Sequence, residues 1–391
     1  IATGSWTNAG AASSTGTAII SDSVTAATAS AYGLLSNPED HINSNLNRIN
    51  LRMRTSTAGT AAVNAATSWD FVMASISWIE PNTNSQVITI SGTCDAYDQT
   101  TDCGDTGEIK IVADGKLVAQ TQATVAGTWS VSNVRVFAND PVVVFVDGAA
   151  DADEAVAVTK YDGSGNIDNV PLFKQTVVVG SSGGANGTAT VSVADMATYD
   201  GANDEDVFYD VFNVAATCNG VASFTGLCND FSGTSTQEKL QITSGNTFVP
   251  ANNVYTHDNV IAGTWTGNGN TYTINGSWTD TGTFTQGTST TLFNSTSTGE
   301  TITSTGSSFY DLTFNGSGGG WTFQDATVVS NILNLILGTL DGGTATTITL
   351  AASGTPFDYD GGTFTPATST VVYAGTAATT AAQVTYYNVS F

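Results

Sequence analysis

The chain carries 34 Asp and Glu against nine Lys and Arg, a formal net charge of −25. The spacing of those carboxylates suggests two kinds of chemistry. The first is cation binding. Asp95, Asp98, Asp102, Asp105 and Glu108 surround a short loop bounded by cysteines. Asp147, Asp151, Asp153 and Glu154 lie in DGAADADE, and Asp200, Asn203, Asp204, Glu205 and Asp206 in DGANDED. Asp162, Ser164, Asn166 and Asp168 in DGSGNID keep the alternating oxygen spacing of a calcium loop, without its terminal Glu. Calcium takes roughly 6–8 oxygen ligands, so such turns suit it. Solvated acidic turns, which so acidic a chain must carry, are the competing reading.

The second kind is carbohydrate cleavage. Asp358 and Asp360 in PFDYDGG share one strand face and could act as the carboxylate pair of a glycosidase. A turn with solvated acids is the better reading of the pair. A lyase needs a basic residue beside its substrate, and no Lys or Arg follows Lys239. A Ser–His–Asp triad would have to recruit His41 or His257, and no GxSxG elbow accompanies them. No catalytic residue is assigned, and the chain is not expected to be an enzyme.

The four cysteines form two local pairs, Cys94 with Cys103 and Cys218 with Cys228. Neither has CxxC spacing and neither histidine is close in sequence, which argues against zinc. Two disulfides are expected, and with them an oxidising, extracellular setting. Each would close a loop of about ten residues, worth roughly 2–3 kcal/mol.

The basic residues, Arg48, Arg52, Arg54, Lys110, Lys116, Arg135, Lys160, Lys174 and Lys239, are scattered. Nucleic-acid binding needs them clustered, so it is excluded. The longest apolar run, Val329 to Leu340, is too short to cross roughly 30 Å of hydrocarbon and is broken by Asn. The chain begins at Ile1, as a processed protein or a slice of a longer one would.

The elements that position these groups are almost all strands. Period-two alternation punctuated by Gly, Asn-Gly and Asp-Gly runs through the chain. Asn37 to Leu51 has helical spacing that equally suits a loop leading into a strand. The predicted fold is all-β: tandem Ig-like β-sandwich modules followed by a C-terminal β-solenoid.

Residues 1–35 read as an extended strand and linker, and 36–89 as a small β unit anchored by Trp69, Phe71 and Trp78. Residues 90–175 read as an Ig-like sandwich, and 176–258 as a β domain holding the second cysteine pair. Residues 259–391 read as solenoid repeats. GTFTQGTSTTLF at Gly282 returns as GTFTPATSTVVY at Gly362, and FYDLTF at Phe309 as YYNVSF at Tyr386. A β-sandwich with a degenerate duplication is the alternative for that last part.

ITISGT, EIKIVADGKLVAQ, GTWSVSNVRV and PVVVFVDG resemble, in pattern only, Ig-like modules related to carboxypeptidase regulatory domains in bacterial surface proteins. GTFT, TST, TIT, FYDLTFNGSGGGWTFQDATVVSN and LGTLDGG resemble repeats of very large bacterial cell-surface proteins. That resemblance covers roughly the last third of the chain and carries no functional residues.

ATGSWTNAG at Ala2 to Gly10 repeats INGSWTDTG at Ile274 to Gly282, matching at Gly4, Ser5, Trp6, Thr7 and Gly10. The N-terminal segment therefore reads as a solenoid strand. It could complete a neighbouring subunit by strand addition, giving a head-to-tail homopolymer. Equally, both ends could continue into further repeats of one longer chain. The expected role is a structural subunit of an extracellular surface filament, layer or fibre. It needs no cofactor, has no membrane span, and has calcium as a candidate ion. An adhesin or tail-fibre-like module binding surface glycans through Trp265, Tyr272, Trp278 and Phe284 is the alternative, although core stacking suits those rings better. A carbohydrate-active β-helix enzyme comes third.

Overall fold

The computed structural model describes strand backbones at Trp6–Asn8, Ile19–Asp22 and Gly33–Leu35. It also describes residues 85–391 except 104–106, 124–125, 149–152, 183–187, 200–206, 208, 212–217, 219–223 and 230–237. The chain divides into two units, Ile1–Ile79 and Glu80–Phe391. In the first, the three strands form one antiparallel sheet in chain order. The candidate helix at Asn37 to Leu51 and the anchors Trp69, Phe71 and Trp78 lie outside the described residues.

The second unit is nearly all β. Its early strands are largely antiparallel. Ser85–Asp95 pairs antiparallel with Thr128–Phe137 and parallel with Ile167–Phe173. Glu108–Ala113 has Lys116–Gln122 on one edge and Pro141–Asp147 on the other. The tight turn between the first two is made by Asp114 and Gly115 at φ 48° and 72°. Positive φ at both central residues is the geometry for which Asp-Gly is chosen. Apolar residues from both strand groups, among them Ile90, Trp129, Ile109, Val144 and Leu172, join one buried cluster.

Pro141–Asp147 then pairs antiparallel with Val156–Lys160, and that strand pairs parallel with Thr176–Val179. From there the chain winds as a β-solenoid with three parallel ladders. Ladder I runs through Val156–Lys160, Thr176–Val179, Lys239–Ile242, Asp258–Ile261, Trp278–Asp280 and Thr298–Thr303. It continues through the ends of Ser308–Phe323 and Thr327–Asp341 to Thr363–Thr365.

Ladder II begins with Thr190–Val191, Thr247–Phe248, Thr264–Thr266 and Thr283–Thr285. It passes to the next coil through the Phe284 amide, which donates to Ser307 Oγ at 3.0 Å. It then follows the starts of the two long strands to Thr347–Leu350, Thr370–Tyr373 and Asn388–Ser390. Ladder III runs from Gly226–Asn229 through Asn253–Thr256, Thr271–Ile274 and Thr290–Phe293. It ends, through the middles of the long strands, at Phe357–Tyr359.

Alternation sets which side chains enter. In Thr264–Thr266 and Thr283–Thr285 the central Trp265 and Phe284 are buried while the flanking threonines face out. One coil cannot bury its apolar row alone, so each is stabilised by its neighbours about 4.8 Å away. Phe248, Tyr272, Trp278 and Phe284 all lie with ring centroids within 4.9–6.1 Å of Trp265. Phe293 stacks on Phe314 at 5.3 Å.

The repeat at Gly282 and Gly362 has a geometric meaning that its spacing conceals. Thr283–Thr285 lies in ladder II, whereas its copy Thr363–Thr365 lies in ladder I. Thr290–Phe293 lies in ladder III, and its copy Thr370–Tyr373 in ladder II. The second copy is therefore displaced by one side of the triangle. What repeats is a strand–corner–strand unit. Gly287 and Ala367 take φ 55° and 43° at the two corners. Ser289 and Ser369 each donate Oγ–H at 2.7 Å to the carbonyl three residues back, Gln286 and Pro366.

Candidate functional site

The acidic turns are mostly engaged with the protein's own donors. Asp98 accepts from the Thr100 and Thr101 amides at 2.9 and 3.0 Å, and Asp162 from the Ser164 amide at 2.8 Å. Asp147 pairs with Lys110 at 2.7 Å, and Asp153 with Lys174 at 2.6 Å. Asn166 accepts from the Thr89 amide and Asp168 from Ser91 Oγ, both at 3.0 Å. Asp95 and Asp102 face each other across an antiparallel bridge. Burial raises the Asp95 carboxyl above its usual range; Asp102 and Asp98 add to the rise, and a Thr93 hydrogen bond opposes it. Asp105, Asp151, Asp200, Asp204 and Asp206 lie outside the described residues. Among the described residues, no group of three or more His, Cys, Asp and Glu is gathered as for a metal ion.

Both cysteine pairs are disulfides, Cys94–Cys103 and Cys218–Cys228. They fit an oxidising compartment. No helix among the described residues is long and apolar enough to cross a membrane. Asp358 sits on its strand half-buried, with Asp360 exposed in the turn beyond. Trp265, Tyr272, Trp278 and Phe284 are all buried. Gly4 and Ser5 lie outside the described residues, while Trp6 and Thr7 lie in the strand Trp6–Asn8.

The structure assembles one polar cluster that sequence reasoning missed. The Cys94–Cys103 loop lies on the outer face of ladder I. Tyr97 donates its hydroxyl to Asp258 at 2.9 Å, and Lys239 Nζ stands 3.9 Å from the centre of the Tyr97 ring. Gln99 Nε2 donates to Gln241 at 2.5 Å. Asp258 also accepts from the Ser277 amide at 2.7 Å and lies 3.4 Å from His257 Nδ1. Gly276 makes this packing possible, because a Cβ there would stand 2.2 Å from Asp258 Oδ1.

Burial works against the Asp258 carboxylate. His257, the Ser277 amide and Tyr97 outweigh it and hold Asp258 below its usual 3.8. Burial and the Asp258 charge push the Tyr97 phenol up, and burial lowers Lys239. Chemically the cluster is a latch: a disulfide-closed loop tied by a charged hydrogen bond and a cation–π contact.

Tyr97→Phe should therefore destabilise the second unit by about 1.5–3 kcal/mol, the range for a hydrogen bond to a charged group. The native carboxyl binds its proton less readily than the unfolded one, so its contribution is complete above the ordinary value and fades as pH falls below it. The gap between wild type and Tyr97→Phe in urea unfolding should be wider at pH 6 than at pH 3. An equal gap at both would show that the Asp258 charge is not what Tyr97 holds.

The far end of the solenoid holds the second candidate feature. Thr363–Thr365 pairs with Thr327–Asp341 on one side, and no described strand pairs with its other side. Phe357–Tyr359 in ladder III is likewise paired on one side only. Ladder II alone continues, through Thr370–Tyr373 to Asn388–Ser390. The intervening chain does not rebuild the other two sides as strands. Ala381, Ala382, Val384 and Tyr386 pack instead on the interior. The hydroxyls of Tyr386 and Tyr373 lie 2.7 Å apart, and Tyr373 accepts from the Ala382 amide at 2.9 Å.

No protein-family model, curated protein or solved structure matches this chain.

Proposed function

We propose that the protein is a self-associating structural subunit of an extracellular surface filament, layer or fibre, built by β-strand addition between copies. The observation that carries this reading is at Phe357–Tyr359 and Thr363–Thr365, where two of the three ladders reach edges that no described strand covers. Soluble proteins blunt such edges with Lys, Pro or bulges. Thr363–Thr365 is short and followed by Pro366, but its exposed positions are threonines and carry no charge.

The rest of the molecule agrees with a durable, non-catalytic role. Its core is stacked aromatic and aliphatic residues, its outer rows are rich in Thr and Ser, and two disulfides tie local loops. With no Lys or Arg after Lys239, the distal coils offer nothing to trypsin-like proteases. In this reading the antiparallel strands between Ser85 and Phe173 form an Ig-like module at the start of the solenoid. Calcium is this reading's candidate ion for the acidic turns.

Sedimentation velocity of the full chain over a concentration series, with and without EDTA, tests the proposal. Growth into large species, reduced by EDTA and restored by calcium, is the expected result. A monomer at every concentration would refute self-association, and indifference to EDTA would refute the calcium component. Release of reducing ends from acidic or neutral polysaccharides would refute the non-enzymatic reading.

A further inference from the structure

We infer that the solenoid core binds an internal water between the two coils that run from Asp258 to Phe293, held by the Asn259 side-chain amide and the Trp278 indole N–H. This site lies inside the coils and is independent of self-association.

Three buried side chains make it. Asn259 is 1% exposed, and Trp278 and Thr291 are 0% exposed. Asn259 Nδ2 and Oδ1, Trp278 Nε1 and Thr291 Oγ1 have no hydrogen-bond partner in the protein. Leaving such groups unmet is costly, and nearly all buried polar groups of folded proteins find a protein or water partner. Alternation turns all three residues into the core. The buried positions are Asn259 and Ile261 in Asp258–Ile261, Trp278 and Asp280 in Trp278–Asp280, and Thr291 and Phe293 in Thr290–Phe293.

Register brings the groups together. Asn259 lies opposite Trp278 in ladder I, so amide and indole share the inward face of adjacent strands, about 4.8 Å apart at the backbone. Thr291 lies opposite Tyr272 in ladder III. The Trp265 ring links the two sides, 4.9 Å from Tyr272 and 5.6 Å from Trp278. Asn259 and Thr291 are also short beside their column neighbours, Leu240 and Trp278 for the first, Tyr272 and Leu312 for the second. That difference in length gives a small molecule its room.

The mixture of donors and acceptors selects water over a cation. Asn259 Nδ2 and Trp278 Nε1 are donors, whose N–H dipoles would oppose a cation, while Asn259 Oδ1 and Thr291 Oγ1 can accept. Water accepts from the first pair and donates to the second, which gives it the two to four polar partners that a buried water needs. Asp280, two residues beyond Trp278, is engaged elsewhere, with the Gly282 amide at 3.0 Å and with Ser307. The bridge also fixes register, because a one-residue slip of either strand would turn its polar group outward.

The test is nuclear magnetic resonance of the full chain, deuterated and carrying 15N-indole tryptophan. It reads rotating-frame Overhauser transfer from water to each indole N–H. Trp278 should show a cross-peak to a long-lived water, and Trp278→Phe identifies the signal by removing it. Trp129 is the internal control: it is buried, its Nε1 donates to the Thr93 carbonyl at 3.2 Å, and it should show no cross-peak. Asn259→Leu, similar in size, should abolish the Trp278 cross-peak and leave Trp129 unchanged. Thr291→Val should leave the cross-peak in place, whereas its loss there would show transfer through the threonine hydroxyl and overturn the inference. No Trp278 cross-peak in the wild type would overturn it without any variant having to fold. A cross-peak of full intensity in Asn259→Leu would overturn it too, because the amide would then not hold the water.

Discussion

Trp265→Ala is expected to cost about 3–5 kcal/mol, the range for removing a large buried aromatic. Trp265 is fully buried and touches rings from its own coil and from both neighbouring coils. Its loss opens a cavity where Phe248, Tyr272, Trp278 and Phe284 converge. Coils of a solenoid are coupled mainly to their neighbours, so the damage should be local. Hydrogen exchange should accelerate in Thr247–Phe248, Thr264–Thr266 and Thr283–Thr285 while Thr347–Leu350 stays protected. Uniform acceleration throughout would mean that the solenoid melts as one unit.

Gly316→Ala should be nearly as damaging, for the opposite reason. A Cβ at this corner would stand 1.8 Å from the Ser295 carbonyl oxygen of the preceding coil and 2.9 Å from the Trp321 ring. Neither can retreat cheaply: the first is backbone and the second is a buried ring. Overpacking of this kind costs about 3 kcal/mol. Gly306 is the control, because nothing lies within 4 Å of its Cβ position although its φ is +86°. Gly306→Ala should cost only the left-handed backbone strain, roughly 1–2 kcal/mol. Thermal denaturation of the two variants side by side checks the ordering, and equal losses would show that coil spacing at Gly316 is not tight.

What the sequence revealed depended on whether the determinant was local. Alternation in TYTI, TTLF and TITL identified strands because it directly sets which side chains enter the coil. The two disulfides were legible because each pair spans a short turn. The Asp-Gly hairpin was legible because few other residues take positive φ twice. The Tyr97–Asp258 latch was hidden, since its partners are 161 residues apart and nothing in CDAYDQTTDC marks Tyr97 as a ring that docks.

The repeat showed that coils exist but not which side each strand occupies. Coil length varies, with Thr247 opposite Thr264, 17 residues on, and Asp341 opposite Thr365, 24 on. A fixed spacing therefore cannot be converted to a side. The open edge at Thr363–Thr365 was not legible either. It arises because the Ala- and Thr-rich run after Tyr373 turns inward, a choice made by Ala381, Ala382, Val384 and Tyr386 packing on the core.

Self-assembly by coil continuation is tested most directly by electron microscopy of the full chain in negative stain, at increasing concentration. Filaments of uniform width are expected, with the solenoid axis along the fibre. Diffraction from aligned material should then show a reflection at about 4.8 Å along that axis, the spacing of stacked strands. Discrete, unassociated particles at every concentration, or fibres whose 4.8 Å repeat runs across the axis, would contradict it.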